Sequence, residues 1–148
     1  MSLRHHSDEL HAFDRLQIAN GKVITSVSRA TTKDVDAAVA AAKQAFETSW
    51  GLNIPGSQRG EYLSTLANLM KDHQTELAAI EAFNNGKTFK SAMEMDVRLS
   101  IETIRYYAGW ADKIQGQVIE IQQNKRAFTS PEPFGVVGQI IPSNFPRT

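Results

Sequence analysis

The chain has 148 residues, 41% of them hydrophobic, with sixteen Lys plus Arg balanced by sixteen Asp plus Glu and no cysteine. That length suits a single soluble domain, which would bury roughly 70% of its unfolded surface. A net charge of zero provides no basic footprint for nucleic acid and no polybasic membrane patch, and the lack of Cys excludes disulfides, thiolate metal sites and a cysteine nucleophile among these residues.

No run approaches the length of apolar residues that a bilayer requires, and Met1 to Phe13 is polar and His-rich rather than signal-like. The expected address is cytoplasmic. Residues 1–20 have weak periodicity and no element is assigned to them. His5, His6 and His11 read as a solvated chain end rather than a metal site. Val23 to Val27 alternates after Asn20 and Gly21, which predicts a short strand following a turn.

From Thr31 the period becomes helical. Thr31 with Asp34 three residues on is a capping-box-like start, and Val35, Val39, Ala42 and Phe46 then share one face. Six alanines between positions 37 and 45 suit close packing on a neighbour. Pro55 and Gly56 centre a loop over 51–57. A second helix is predicted from Ser57 to about His73, with Tyr62, Leu66 and Leu69 on its main stripe and Leu63, Ala67 and Met70 beside it. After a break near Asp72, Leu77, Ile80 and Phe83 continue an apolar face. Asn84, Asn85 and Gly86 form a strong stop, because they accept the left-handed conformation of a helix end.

The third helix is predicted over 91–115. Val97, Ile101, Ile104, Ala108 and Ala111 keep helical spacing, Tyr107, Trp110 and Ile114 widen the stripe, and Gly109 suggests a close crossing. Two short strands follow, 118–121 and 126–130. Phe134 to Ile141 is a nearly continuous apolar run, the pattern of a strand buried on both faces in a parallel sheet. Gly135 and Gly138 within it suit close backbone packing and do not make a G-x-G-x-x-G turn.

General catalytic motifs are sparse. Glu94 with Asp96, and Glu120 with Glu132, are candidate carboxylate pairs whose spacing fixes no shared site. The segment from Ile140 to Pro146 is more informative, because open α/β sheets bind ligands beyond the carboxyl ends of their strands. Asn144 lies there between two prolines. It reads either as an ordinary turn asparagine or as a rigid amide that donates to an oxyanion.

Glu132 to Pro146 reads E-P-F-G-V-V-G-Q-I-I-P-S-N-F-P, which resembles the pattern E-P-x-G-V-x-x-x-I-x-P-W-N-F-P of the NAD(P)-dependent aldehyde dehydrogenase superfamily. Ile104 to Lys113, Asn85 to Phe89 and the R-x-x-x-L-x-x-L-A pattern from Arg59 resemble stretches upstream of that motif. In order and spacing the resemblance runs from about Asn20 to Pro146 and covers roughly the first third of a family member. Two departures stand out: Ser143 replaces the family's Trp, and Arg147 and Thr148 follow where the family continues with apolar residues.

The resemblance implies an α/β fold: an aldehyde-dehydrogenase-like N-terminal fragment, mostly helical, with the first strands of a parallel-sheet cofactor-binding domain. Residues 1–19 would be a poorly defined N-terminal segment and 20–148 an incomplete cofactor-binding domain. It implies oxidation of a small aldehyde to a carboxylic acid with NAD or NADP in the complete enzyme. Asn144 would stabilise the oxyanion, and Ile140, Ile141, Pro142 and Ser143 would line the cofactor cleft. Asp96 falls where some relatives bind a structural monovalent cation, although no ligand set is identified and no metal is assigned. The family's nucleophilic Cys, general-base Glu and Gly-rich cofactor turn have no counterpart here, so the chain alone is expected to be inactive and to bind no cofactor. The rival expectations are a non-catalytic helical interaction fragment that associates with homologous intact subunits, and a non-functional truncated product. Neither nucleic acid nor a membrane is an expected partner.

Overall fold

The computed structural model describes residues 12–141. The chain opens with a hairpin in which β1 (Ala12–Leu16) pairs antiparallel with β2 (Val23–Ser28), Phe13 opposite Val27 and Leu16 opposite Val23. The Asn20-Gly21 turn forms as its sequence predicts. Gly21 takes φ +70° and the Asn20 side chain accepts from the Lys22 N–H at 3.0 Å. β1 arises where periodicity assigns no element, because its hydrogen bonds come from β2 rather than from a pattern of its own.

Helix α1 (Thr32–Thr48) starts where expected. The Asp34 carboxylate reaches back to accept from both the N–H and the hydroxyl of Thr31, each at 2.7 Å, which occupies donors at the positive end of the helix. The expected close packing of its alanines is not found. α1 buries no residue, and Val35 and Val39 are about half exposed. A 3-10 turn (Gly51–Asn53) leads to α2 (Gly56–Asp72), and α3 (Gln74–Asn85) follows after the break at His73. Gly86 ends α3 at φ +77°, its N–H bonded to the Ala82 carbonyl at 2.9 Å. That conformation is costly for any residue with a Cβ.

The next helical run comprises α4 (Phe89–Ser91), a π segment (Ala92–Val97) and α5 (Arg98–Trp110). It ends earlier than the predicted 115, in a turn at Ala111 and Asp112. β3 (Val118–Gln122) and β4 (Lys125–Phe128) make a second antiparallel hairpin, with Val118 opposite Phe128. Phe134 to Ile141 does not form the expected interior strand. Among the described residues no strand pairs with it, Phe134 and Ile140 are fully exposed, and a strand without a neighbour has no ladder to hold it. Among the described residues both sheets are two-stranded and antiparallel.

The core lies between α2, α3 and the α4–α5 run. Its buried apolar members are Ala67, Ala78, Ala92, Val97 and Ile101, flanked by Met70, Leu77, Met93 and Ile104. On α2 the inward line is the buried Gly60 and Ala67 with the partly buried Leu63 and Met70, while Tyr62, Leu66 and Leu69 are exposed. The expected close crossing does exist, but its glycine is on the opposite helix. A Cβ on Gly60 would stand 2.8 Å from the Ala108 carbonyl oxygen, whereas one on Gly109 would meet nothing within 4 Å. Gly138 is equally open, so close packing does not explain that glycine either.

This core is small for the chain. Among the described residues, apolar side chains on every helix and both hairpins are left exposed. Ile101 is the largest aliphatic side chain in the buried cluster, at 5% exposure. Ile101→Ala is expected to cost about 2–5 kcal/mol, read as a lowered urea midpoint of the helical circular-dichroism signal.

Candidate functional site

The approach to the Asn144 motif is built from three parts of the chain. Arg59, on the first turn of α2, donates through Nη1 to the carbonyls of Ile54 at 2.5 Å and Gly51 at 3.3 Å. Two charge-assisted bonds to backbone oxygens pin the 3-10 turn to α2. With that turn fixed, Trp50 stacks on Tyr62, ring centroids 5.8 Å apart, and the Gln58 amide donates to the Tyr62 hydroxyl at 3.2 Å. Phe46, Trp50, Ile54, Arg59 and Ile114, together with Pro131 to Pro133 and Gly135, line a cleft of about 510 Å³. The segment entering the E-P-F-G-V motif therefore lies on an aromatic shelf that Arg59 braces. Arg59 is visible in the sequence only as the first letter of a helix pattern, and nothing local announces its carbonyl partners eight and five residues away.

Of the sequence-derived site residues, Pro142, Ser143 and Asn144 lie outside the described residues, as do His5, His6 and His11. Ile140 is fully exposed and Ile141 more than half exposed. A dinucleotide needs N–H donors for its pyrophosphate, typically at a glycine-rich turn that opens a helix. Gly135 and Gly138 lie in an irregular stretch that opens no helix among the described residues, so their N–H groups are not gathered at a helix start, and the side chains of the two exposed isoleucines add no polar group. The described residues do not fit NAD(P) as a cradle.

The acidic candidates separate. Asp96 is 5% exposed and its Oδ2 is 2.7 Å from Lys87 Nζ. Glu94 instead lies 4.0 Å from Lys90 on the surface. The Glu94 and Asp96 carboxylates thus answer different lysines, and the Asp96 carboxylate is paired with an ammonium. Among the described residues no group of three or more His, Asp or Glu could hold a metal. A second, polar groove between α2 and α5 is lined by Ser64, Asn68, Asp112 and Lys113. The hydrogen bond and charge of Lys113 hold the exposed Asp112 carboxyl below its usual range. No described helix is long and apolar enough to cross a membrane.

Comparison with known proteins agrees with the motif. The model of the aldehyde dehydrogenase family matches residues 5–148. An aldehyde dehydrogenase of Agaricus bisporus is 57% identical over 133 residues, which is 90% of this chain and 27% of that protein. A cytosolic 10-formyltetrahydrofolate dehydrogenase of Xenopus laevis is 46% identical over 91% of this chain and 15% of its own length. The NAD+ complex of an aldehyde dehydrogenase from Bacillus cereus superposes with a TM-score of 0.87 at 42% identity, over 92% of this chain and 28% of that one. The chain thus spans about a quarter, or less, of the length of these relatives. With the helical bundle, the two hairpins and the ordered motifs in place, the chain belongs to the aldehyde dehydrogenase family, of which it represents an N-terminal portion.

Proposed function

We propose that the chain is part of an NAD(P)-dependent oxidoreductase that converts an aldehyde to a carboxylic acid, with residues 20–148 forming an incomplete portion of the cofactor-binding domain and 1–19 a leading segment. The observation that carries this reading is the family match over 5–148, which includes the motif around Asn144. In that role the Asn144 amide donates to the oxygen that becomes negative as the aldehyde carbonyl turns tetrahedral. A neutral amide does this without changing protonation, and the flanking prolines limit the reorganisation required. Ile140, Ile141, Pro142 and Ser143 would line the cleft beside it. Arg59, Trp50 and Phe46 would set the path of the segment that delivers them. The proposed location is cytoplasmic, and the exposed apolar faces suit packing on the rest of such an enzyme or on homologous subunits.

Attack on the carbonyl needs a nucleophile, and the 148 residues contain no cysteine. The isolated chain is therefore proposed to be inactive. Purified chain given NAD or NADP and a panel of aldehydes should show no rise at the reduced-nicotinamide absorbance band. A rise that disappears on Asn144→Ala would contradict this proposal.

A further inference from the structure

The helical run from Phe89 to Trp110 carries a π segment, Ala92–Val97, near its start. A π turn inserts one residue into the α repeat, so one N–H passes over the carbonyl it would normally meet. Here the Arg98 N–H bonds to the Met93 and Met95 carbonyls and passes over Glu94. The Glu94 carbonyl instead accepts from the side chain of the same Arg98, Nε to O 2.9 Å. Nη1 of that guanidinium reaches Glu102 at 3.1 Å, which steadies it. Arg98 thus repairs with its side chain the rung that its backbone skips.

The other face of the turn is held from outside the helix. The inserted register buries Asp96 against Lys87 Nζ at 2.7 Å, and the next residue, Val97, enters the core with Ile101. Lys87 directly follows Gly86, at the end of α3. That corner carries the first hairpin: Arg15 Nε donates to Asn84 Oδ1 at 2.9 Å, and the Cβ position of Gly86 lies 3.5 Å from the Ile18 side chain. One α-helical residue turns through about 100°. If the inserted residue were absorbed while Val97 and Ile101 stayed seated, Asp96 would rotate away from Lys87 and the corner would lose its anchor.

We propose that the π turn is a register lock: the Lys87–Asp96 pair and the Arg98–Glu94 carbonyl bond hold Ala92–Val97 in the inserted register, and through the Asn84–Lys87 corner they keep the β1–β2 hairpin docked on the helices. The proposal concerns the fold and stands independently of the oxidoreductase reading. Removing the ammonium leaves Asp96 as an uncompensated buried charge, and the cheapest relief is the return to α register that turns it toward water.

Residue-resolved amide exchange on the full chain tests this. Lys87→Met should speed exchange at 94–98 and in the β1–β2 hairpin by about tenfold relative to amides of α2. Lys87→Met combined with Asp96→Leu should restore protection, because an apolar pair can stay buried in the same register. Uniform acceleration across α2, α3 and α5, or unchanged exchange at 94–98, would overturn the lock. If Lys87→Met does not fold, Arg98→Met, at an exposed position, should still accelerate 94–98 selectively, and unchanged protection there would overturn the proposal equally.

Discussion

Gly60→Ala is expected to destabilise the chain, whereas Gly109→Ala, on the opposing helix, is expected to stabilise it. Both glycines are helical, and alanine at either gains about 0.5–1 kcal/mol of intrinsic helix preference. They differ in what the new methyl meets. At Gly60 it would stand 2.8 Å from the Ala108 carbonyl oxygen and 3.6 Å from the Ala111 Cβ. The first neighbour is backbone and moves only if α5 moves. Overpacking of that kind costs about 1–3 kcal/mol, which exceeds the propensity gain. At Gly109 the methyl meets nothing within 4 Å, so the propensity gain is kept whole. Urea unfolding followed by circular dichroism should show the two midpoints moving in opposite directions. Equal shifts of the same sign would mean that the α2–α5 crossing is not set by Gly60.

Asn144→Ala is expected to lower kcat by on the order of 10² to 10³ in a complete enzyme containing this segment, as loss of one oxyanion donor does elsewhere. A suitable vehicle is a chimera in which this chain replaces the matched portion of the Agaricus bisporus aldehyde dehydrogenase, to which it is 57% identical. The oxyanion exists only as the carbonyl turns tetrahedral. A donor aimed at it therefore changes kcat and kcat/KM together and leaves KM nearly constant. Asn144→Asp should be no better, because an ionised carboxylate accepts rather than donates and repels the developing charge. A rise in KM with unchanged kcat would assign Asn144 to substrate binding instead.

Local chemistry made much of this fold legible. Thr31 with Asp34 starts α1, Gly86 ends α3, and Asn20-Gly21 turns the first hairpin, each by interactions within a few residues. The face that each helix buries was less visible, because hydrophobicity does not count glycine. On α2, Gly56, Gly60, Leu63, Ala67 and Met70 form a helical line, and the close approach at Gly60 rotates Tyr62, Leu66 and Leu69 outward. The π turn escapes a 3.6-residue period by its nature. The Phe134–Ile141 run has the composition of a strand, but strand hydrogen bonds belong to a neighbour that sequence alone does not supply. The zero cysteine count and the motif containing Asn144 were readable from the start, and they still separate what the family does from what these residues provide. The Arg59 brace was not readable, because its partners are backbone oxygens.

The central proposal is that this chain, an N-terminal portion of the aldehyde dehydrogenase family, contributes its exposed faces and Asn144 to an aldehyde-oxidising enzyme, whose thiol these residues do not contain. The most direct measurement compares the isolated chain with the chimera in the same NAD-dependent aldehyde oxidation assay. The isolated chain should be silent, and the chimera should fold and turn over at a rate within about tenfold of its parent, which corresponds to about 1.4 kcal/mol of barrier. A chimera that folds but oxidises no aldehyde, or turnover by the isolated chain, would contradict the claim.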